Sequence, residues 1–416
     1  MIRKILPAVL IIGLIILACI LQACGATLPT PSSTTAPPVH TSTATAKPSV
    51  TEASTSASTP TPTRLPPALP VVASPELVRI SFQDENDGWG IAGNESGGVL
   101  RTVDGGGSWL NATPPGMGRV GPSAVLTVLD TGTVWVLVPS TDFFSGTLYR
   151  TGDGGMLWNS YPVPFGGAFI QFQDGMHGRA LAERGTAAGS EAVELFQTSD
   201  GGATWISVFH DDPNQPDSSD SLPLAGIKNG MSFLDTSTGW VTGSIPAAGE
   251  VYLYVTHDGG VTWSKQSLSL PTAYERYQYV PQAPVFFGKY GFLPLMVYLP
   301  DRVNSTFFVT HDGGLTWSGN PGEAKKVIKA GLIAFADTQH AWSWDGGPEL
   351  YSTTDGAETW QTASTSLNIS GRLSQLEFVA ASTGQFTGWA LTRTDEAGHS
   401  QLYCSRDGIN WTSLLP

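Results

Sequence analysis

The stretch "VTHDGGLTW", Val309 to Trp317, occurs almost unchanged at Val255 to Trp263 as "VTHDGGVTW". The pattern behind both, Ser/Thr-x-Asp-Gly-Gly-x-x-Trp, recurs along the chain. Its aspartates are Asp104 ("RTVDGGGSW"), Asp153 ("RTGDGGMLW"), Asp200 ("QTSDGGATW"), Asp258, Asp312 and Asp355 ("TTDGAETW"). A seventh copy, at Asp407 ("SRDGINW"), is one residue shorter between Asp and Trp. The intervals are 49, 47, 58, 54, 43 and 52 residues. One four-stranded propeller blade takes about 40–50 residues, so the spacing fits one motif per blade. A catalytic loop has no need of seven spaced copies.

The residue types support a structural role. An Asp side chain accepts hydrogen bonds from backbone amides two or three residues on, which closes a tight turn. Gly105, Gly201, Gly259 and Gly313 follow their aspartates and adopt positive φ at little cost. The Trp opens the next strand and covers the turn with an apolar face. A second pattern precedes each box. In the first repeat it reads "VRISFQDENDGWGIAG": an alternating strand, a polar turn, then Gly88-Trp89 opening another strand. Its equivalents of Trp89 are Trp135, Trp240, Trp342 and Trp389, while Arg179 and Phe292 stand there in repeats three and five, which should pack differently. The expected fold is all-β: one seven-bladed propeller of four-stranded blades over 76–416. Boxes and first turns share one face, and no outer strand comes from before Glu76. Blade seven should supply its own outer strand and close on blade one by packing.

These motifs resemble the Asp-box, or BNR, repeats of the sialidase superfamily. With the added F-x-D…GW…G element they look most like the photosystem II assembly and stability factor family and related BNR-like propellers. The resemblance spans nearly all of 76–416. It implies that the boxes are scaffold, away from the ligand face. It carries little about function, because sialidases, xyloglucanases, receptors and assembly factors share it. Sialidases use an Arg-Ile-Pro-type element, which is absent here; the nearest match is "VRIS" at Val78 to Ser81. Xyloglucanase-type enzymes pair two propellers, and this chain has one. The assembly-factor family binds through an arginine-rich patch, whereas Arg and Lys are scattered here.

Of the 13 Trp residues, seven fall in boxes and five in Gly-Trp strands, which leaves Trp344. The N-terminus, "MIRKILPAVLIIGLIILACILQACG", has a basic start, an apolar run and small residues before Cys24. That is the design of a bacterial lipoprotein signal over 1–24, with Cys24 lipidated; Cys19 and an uncleaved membrane anchor are the alternatives. In residues 26–75, 31 of 50 are Ser, Thr or Pro, a composition too poor in apolar side chains to order itself. The segment 25–75 therefore reads as a disordered stalk, and the propeller as extracytoplasmic and membrane-tethered.

Four of the 21 basic and one of the 35 acidic residues precede Glu76, which leaves 17 and 34 in the propeller. Such a surface lacks the basic footprint that nucleic acid or anionic headgroups require. No Cys/His spacing suits zinc, and no cofactor motif occurs. The acidic loop carrying Asp211, Asp212, Asp217 and Asp220 matches no calcium-loop spacing and reads as a solvated loop. The expected function is a non-catalytic, monomeric binding or assembly scaffold for a protein or cell-surface glycan on the face opposite the boxes. The alternative is a secreted glycoside hydrolase. Loops on a rigid scaffold carry most binding sites. The candidate contacts are Tyr274, Glu275, Arg276, Tyr277 and Tyr279 in "TAYERYQYV", Asp301 and Arg302 in "YLPDRVNS", and Trp344.

Overall fold

A computed structural model describes residues 69–414 except 94–96, 119, 213–219, 271–274, 320–326, 394 and 396–398. Cys19, Cys24, residues 25–68, Tyr274 and Asp217 lie outside the described residues. The described residues form no helix. They make seven antiparallel sheets, each running in chain order from an inner to an outer strand. Blade one comprises Leu77–Phe82, Gly88–Ala92, Val99–Thr102 and Trp109–Asn111. Blade seven comprises Leu373–Ala380, Phe386–Thr392, Leu402–Ser405 and Thr412–Ser413. Blade seven thus has its own outer strand, as expected. In blade five the inner strand is split into Gln278–Pro281 and Val285–Phe287, both paired with Tyr290–Tyr298.

One expectation is corrected. Residues before Glu76 do form an outer strand: Val71–Val72 pairs with Trp109–Asn111 and makes blade one five-stranded. Two valines show no alternation over a useful length, but Val72 packs on the core below, which gives the pair an apolar reason to dock.

Boxes and first turns do share a face, and they are bonded to each other. The amide of the first box Gly donates to a carbonyl in the first turn of its own blade: Gly105 to Asn86 at 2.8 Å, Gly201 to Met176 at 2.8 Å, Gly313 to Lys289 at 2.9 Å. The first turn is itself closed by an Asp. Asp84 Oδ1 accepts from the amides of Asn86 and Asp87, both at 2.8 Å.

The core lies between blades, not within them. One cluster joins Leu77, Phe82 and Trp109 of blade one to Trp389, Leu391 and Leu402 of blade seven. At three of the junctions the second-strand Trp of one blade stacks on the inner-strand Phe of the next. Trp389 lies on Phe82 at 3.8 Å, Trp135 on Phe172 at 3.7 Å, and Trp342 on Phe378 at 4.0 Å. The indole also donates to a box carbonyl of that next blade: Trp389 to Gly105 at 2.8 Å, Trp135 to Gly201 at 2.9 Å. The variant blades keep the geometry with other chemistry. Arg179 donates to the carbonyls of Gly259 and Thr236 at 3.3 and 2.8 Å and lies 5.2 Å over Phe233. Phe292 stacks on Phe335 at 4.4 Å. Blade two has no Phe for Trp89, and Arg101 covers that ring instead, donating across to Gly154 O at 3.2 Å.

The seam between blades one and seven closes without a shared strand. Gln375 Oε1 accepts from Ile80 N and Glu377 Oε2 from Phe82 N, both at 2.8 Å. Glu85 accepts from the amide and hydroxyl of Ser382, both at 2.6 Å. Glu76 accepts from Ser400 N at 2.8 Å and pairs with His399. These side chains occupy backbone groups that an open sheet edge would leave bare.

Candidate functional site

The box aspartates are fully engaged in their turns. Asp312 Oδ1 accepts from Thr310 Oγ1 at 2.7 Å and Thr316 N at 2.9 Å, while Oδ2 accepts from Thr316 Oγ1 at 2.6 Å. These bonds, the Thr316 hydroxyl first, hold its carboxyl down to about 2. The same arrangement recurs at Asp104, Asp200, Asp258 and Asp355. Asp153 lacks the second hydroxyl and bonds the amides of Met156 and Leu157. Asp407, in the short box, bonds the amides of Ile409 and Asn410. A carboxylate kept ionised by its own turn is a poor general acid at neutral pH.

The loop residues named from sequence are divided by the structure. Glu275 and Arg276 are exposed, and the Arg276 guanidinium lies 5.3 Å over the half-buried Tyr277 ring. Asp301 and Arg302, both exposed, form an ion pair with each other at 2.8 Å. Two candidates are corrected. Tyr279 is 0 % exposed and belongs to the core with Leu253 and Leu293. Trp344 is 1 % exposed, stacks on Trp411 at 5.2 Å and donates to Gly347 O at 2.6 Å. Both rings are spent inside blades, so neither can meet a ligand. The Trp left over by the motif count is core all the same.

A groove that sequence reasoning missed lies between blades three and four, on the face opposite the boxes. Its cavity of about 270 Å³ is lined by Phe169, Leu181, Glu183, Glu191, Val193 and Lys228. Leu181 and Val193 belong to the core beneath it. Phe169 and Glu183 are exposed, Phe169 by 43 %. Glu191 is 7 % exposed; its Oε2 accepts from Lys228 N at 2.5 Å. Burial pushes the Glu191 carboxyl up, with repulsion from Glu183 and Asp211 acting the same way and the Lys228 amide and charge opposing. The Lys228 ammonium donates to the carbonyls of Glu191 at 2.5 Å, Pro223 at 2.7 Å and Leu224 at 3.4 Å. The partners sit 37 residues apart, so no local motif marks them.

A larger cavity, about 480 Å³, opens at the box-side ends of the inner strands of blades six, seven and one, lined by Ser81, Phe335, Glu377 and Phe378 among others. Burial drives the Glu377 carboxyl up to about 8, against the bond from Phe82 N. Among the described residues, no group of His, Cys, Asp and Glu is arranged to hold a metal ion.

No protein-family model matches the chain, and neither does any curated protein. Solved structures similar to it include YCF48 bound to D1 peptide, at 15% identity over 79% of this chain and 93% of that one, TM-score 0.48. YCF48 from Cyanidioschyzon merolae matches at 16% identity over 81% and 97%, TM-score 0.44. A PL25 ulvan lyase bound to a sulfated disaccharide repeat, -[GlcA(1-4)Rha3S]-, matches at 9% identity over 83% and 96%, TM-score 0.47. The first two belong to the photosystem II assembly factors that the boxes resembled.

Proposed function

We propose that this chain is a surface-displayed, membrane-tethered scaffold that binds a protein or glycan on the face opposite the boxes without transforming it. The tether rests on the leader, with Cys24 as its lipidated residue, and on the Ser/Thr/Pro-rich stalk. The observation that carries the binding reading is the groove between blades three and four. There an exposed aromatic ring and exposed carboxylate sit over an apolar floor, and ring closure uses neither Phe169 nor Glu183. Such a combination of an apolar floor with few convergent polar groups is what ligand sites present. The exposed Arg276 and half-buried Tyr277 on the neighbouring blade junction extend the surface a partner can touch.

The second reading, glycoside hydrolase, draws on one observation: Glu183 and Glu191 line the same cavity, and burial raises the second. One experiment separates the two. The purified protein is offered aryl glycosides and polysaccharides while reducing ends are measured, and in parallel its retention on peptide and glycan arrays is read. Array binding without turnover, weakened in Phe169→Ala or Arg276→Ala, supports the scaffold. Turnover that disappears in Glu183→Gln overturns it.

A further inference from the structure

The groove between blades three and four has a definite chemical polarity. Two lining side chains bring acceptors: the exposed carboxylate of Glu183, whose Oε1 also accepts from Thr186 Oγ1 at 2.6 Å, and the carboxylate of Glu191. Oε2 of Glu191 is taken by Lys228 N, and the residue is 7 % exposed at the cavity wall. The lining cation, Lys228, directs its ammonium at the carbonyls of Glu191, Pro223 and Leu224 and lies 5.5 Å from the Tyr252 ring. Its charge is therefore drawn toward the 223–224 segment. Asp211, whose Oδ2 accepts from Val193 N, adds negative charge behind the wall.

We infer that this groove receives the side chain of a lysine or arginine carried on an extended segment of a partner protein. The inference rests on the scaffold reading and gives its partner a chemistry. The aliphatic stem lies on Leu181 and Val193. The cationic head meets the Phe169 ring, Glu183 and Glu191 Oε1. An aromatic face beside carboxylates is an arrangement that binds organic cations, and stem plus head match the amphipathic character of Lys and Arg. A neutral sugar asks for donors as well as acceptors, and the groove's side chains present open acceptors. An anionic ligand meets two carboxylates and is repelled. The overall charge of −14 draws basic partners at low ionic strength.

The test uses the full-chain protein in detergent and fluorescent hexapeptides that differ at one central position: Lys, Arg, norleucine or Glu. Anisotropy is read at low salt. The lysine and arginine peptides bind, and the norleucine peptide, which keeps the stem and drops the charge, binds about tenfold more weakly or not at all. Phe169→Ala and Glu183→Gln each weaken the lysine peptide about 3- to 10-fold. Both side chains are exposed, so melting temperatures stay at the parent value and a folding defect is recognised if it occurs. Glu349→Gln, an exposed acid of blade six, leaves binding unchanged and so separates a site from general attraction. The inference is overturned if Phe169→Ala and Glu183→Gln bind like the parent, or if Glu349→Gln weakens binding equally. It is also overturned if norleucine and lysine peptides bind alike, or if a neutral glycan binds and is lost in Phe169→Ala. The glycan result would leave the scaffold reading standing, whereas glycoside turnover lost in Glu183→Gln would remove both.

Discussion

The indole N–H of Trp389 donates to the carbonyl oxygen of Gly105 at 2.8 Å, joining residues 284 positions apart. That bond, with the ring flat on Phe82, repeats at the seam the same contact that Trp135 makes with blade three. The ring therefore closes with the chemistry that joins its internal blades.

Trp389→Phe should retain the stack on Phe82 and lose the hydrogen bond, leaving Gly105 O without its donor. The lost bond should cost about 1–2 kcal/mol beyond the cost of the ring volume removed. Trp89→Phe is the control: it removes the same ring volume from a buried site, but its indole nitrogen has no hydrogen-bond partner, so it should cost about 1–2 kcal/mol less. Chemical unfolding of the two variants checks this; equal costs would mean that the indole bond contributes nothing.

Glu377 gives a pH dependence. Its folded carboxyl titrates at about 8, well above the ordinary glutamate value near 4.5. Between those values the folded chain holds a proton that the unfolded chain releases, so stability falls as pH rises through that window. It is fully present below about 4.5 and lost above about 8. Glu377→Gln keeps an acceptor for Phe82 N and cannot ionise. The variant should match the parent near pH 5 and exceed it by about 2–4 kcal/mol near pH 9. A difference that does not change with pH contradicts the assignment.

The second box glycine is constrained by a neighbour as well as by its own φ. A Cβ on Gly314 would stand 2.2 Å from the Trp240 indole of the preceding blade, at φ +81°. Gly314→Ala should cost about 2–4 kcal/mol through overpacking and a left-handed alanine. The sixth box already carries Ala357 there at φ +67°, and Ala357→Gly should change stability by less than about 1 kcal/mol. Thermal melts of both variants decide whether the indole sets the requirement.

Deleting 30–65 should leave the melting temperature unaltered, because that composition contributes no core. Deleting through residue 75 should lower stability by about 1 kcal/mol, as the Val71–Val72 pairing and the Val72 contact are lost. Equal melting temperatures would show that this fifth strand is incidental.

The blades could be read in advance because the box is a local code. Thr310, Asp312 and Thr316 complete their hydrogen bonds within seven residues, so the letters and the turn occupy one short stretch. The closure without a shared strand was legible too, since "INWTSLLP" still reads as an outer strand. What depended on a second blade was hidden. Tyr279 and Trp344 look like surface aromatics in a loop-rich context, and only packing against distant strands buries them. Val71–Val72 is too short to show a period. The groove needs Glu183, Glu191 and Lys228 brought together from two blades, and no spacing in the sequence announces that.

The stacking of one blade's Trp on the following blade's Phe, as at Trp389, Trp135 and Trp342, means that the written repeat and the interlocking unit are out of phase. A sheet copied at its own borders carries half of one junction and half of the next. Arg179 facing Phe233, and Arg101 covering Trp89 where blade two has no Phe, are departures at such junctions. The departures from the repeat are best understood as events of a junction and not of a blade.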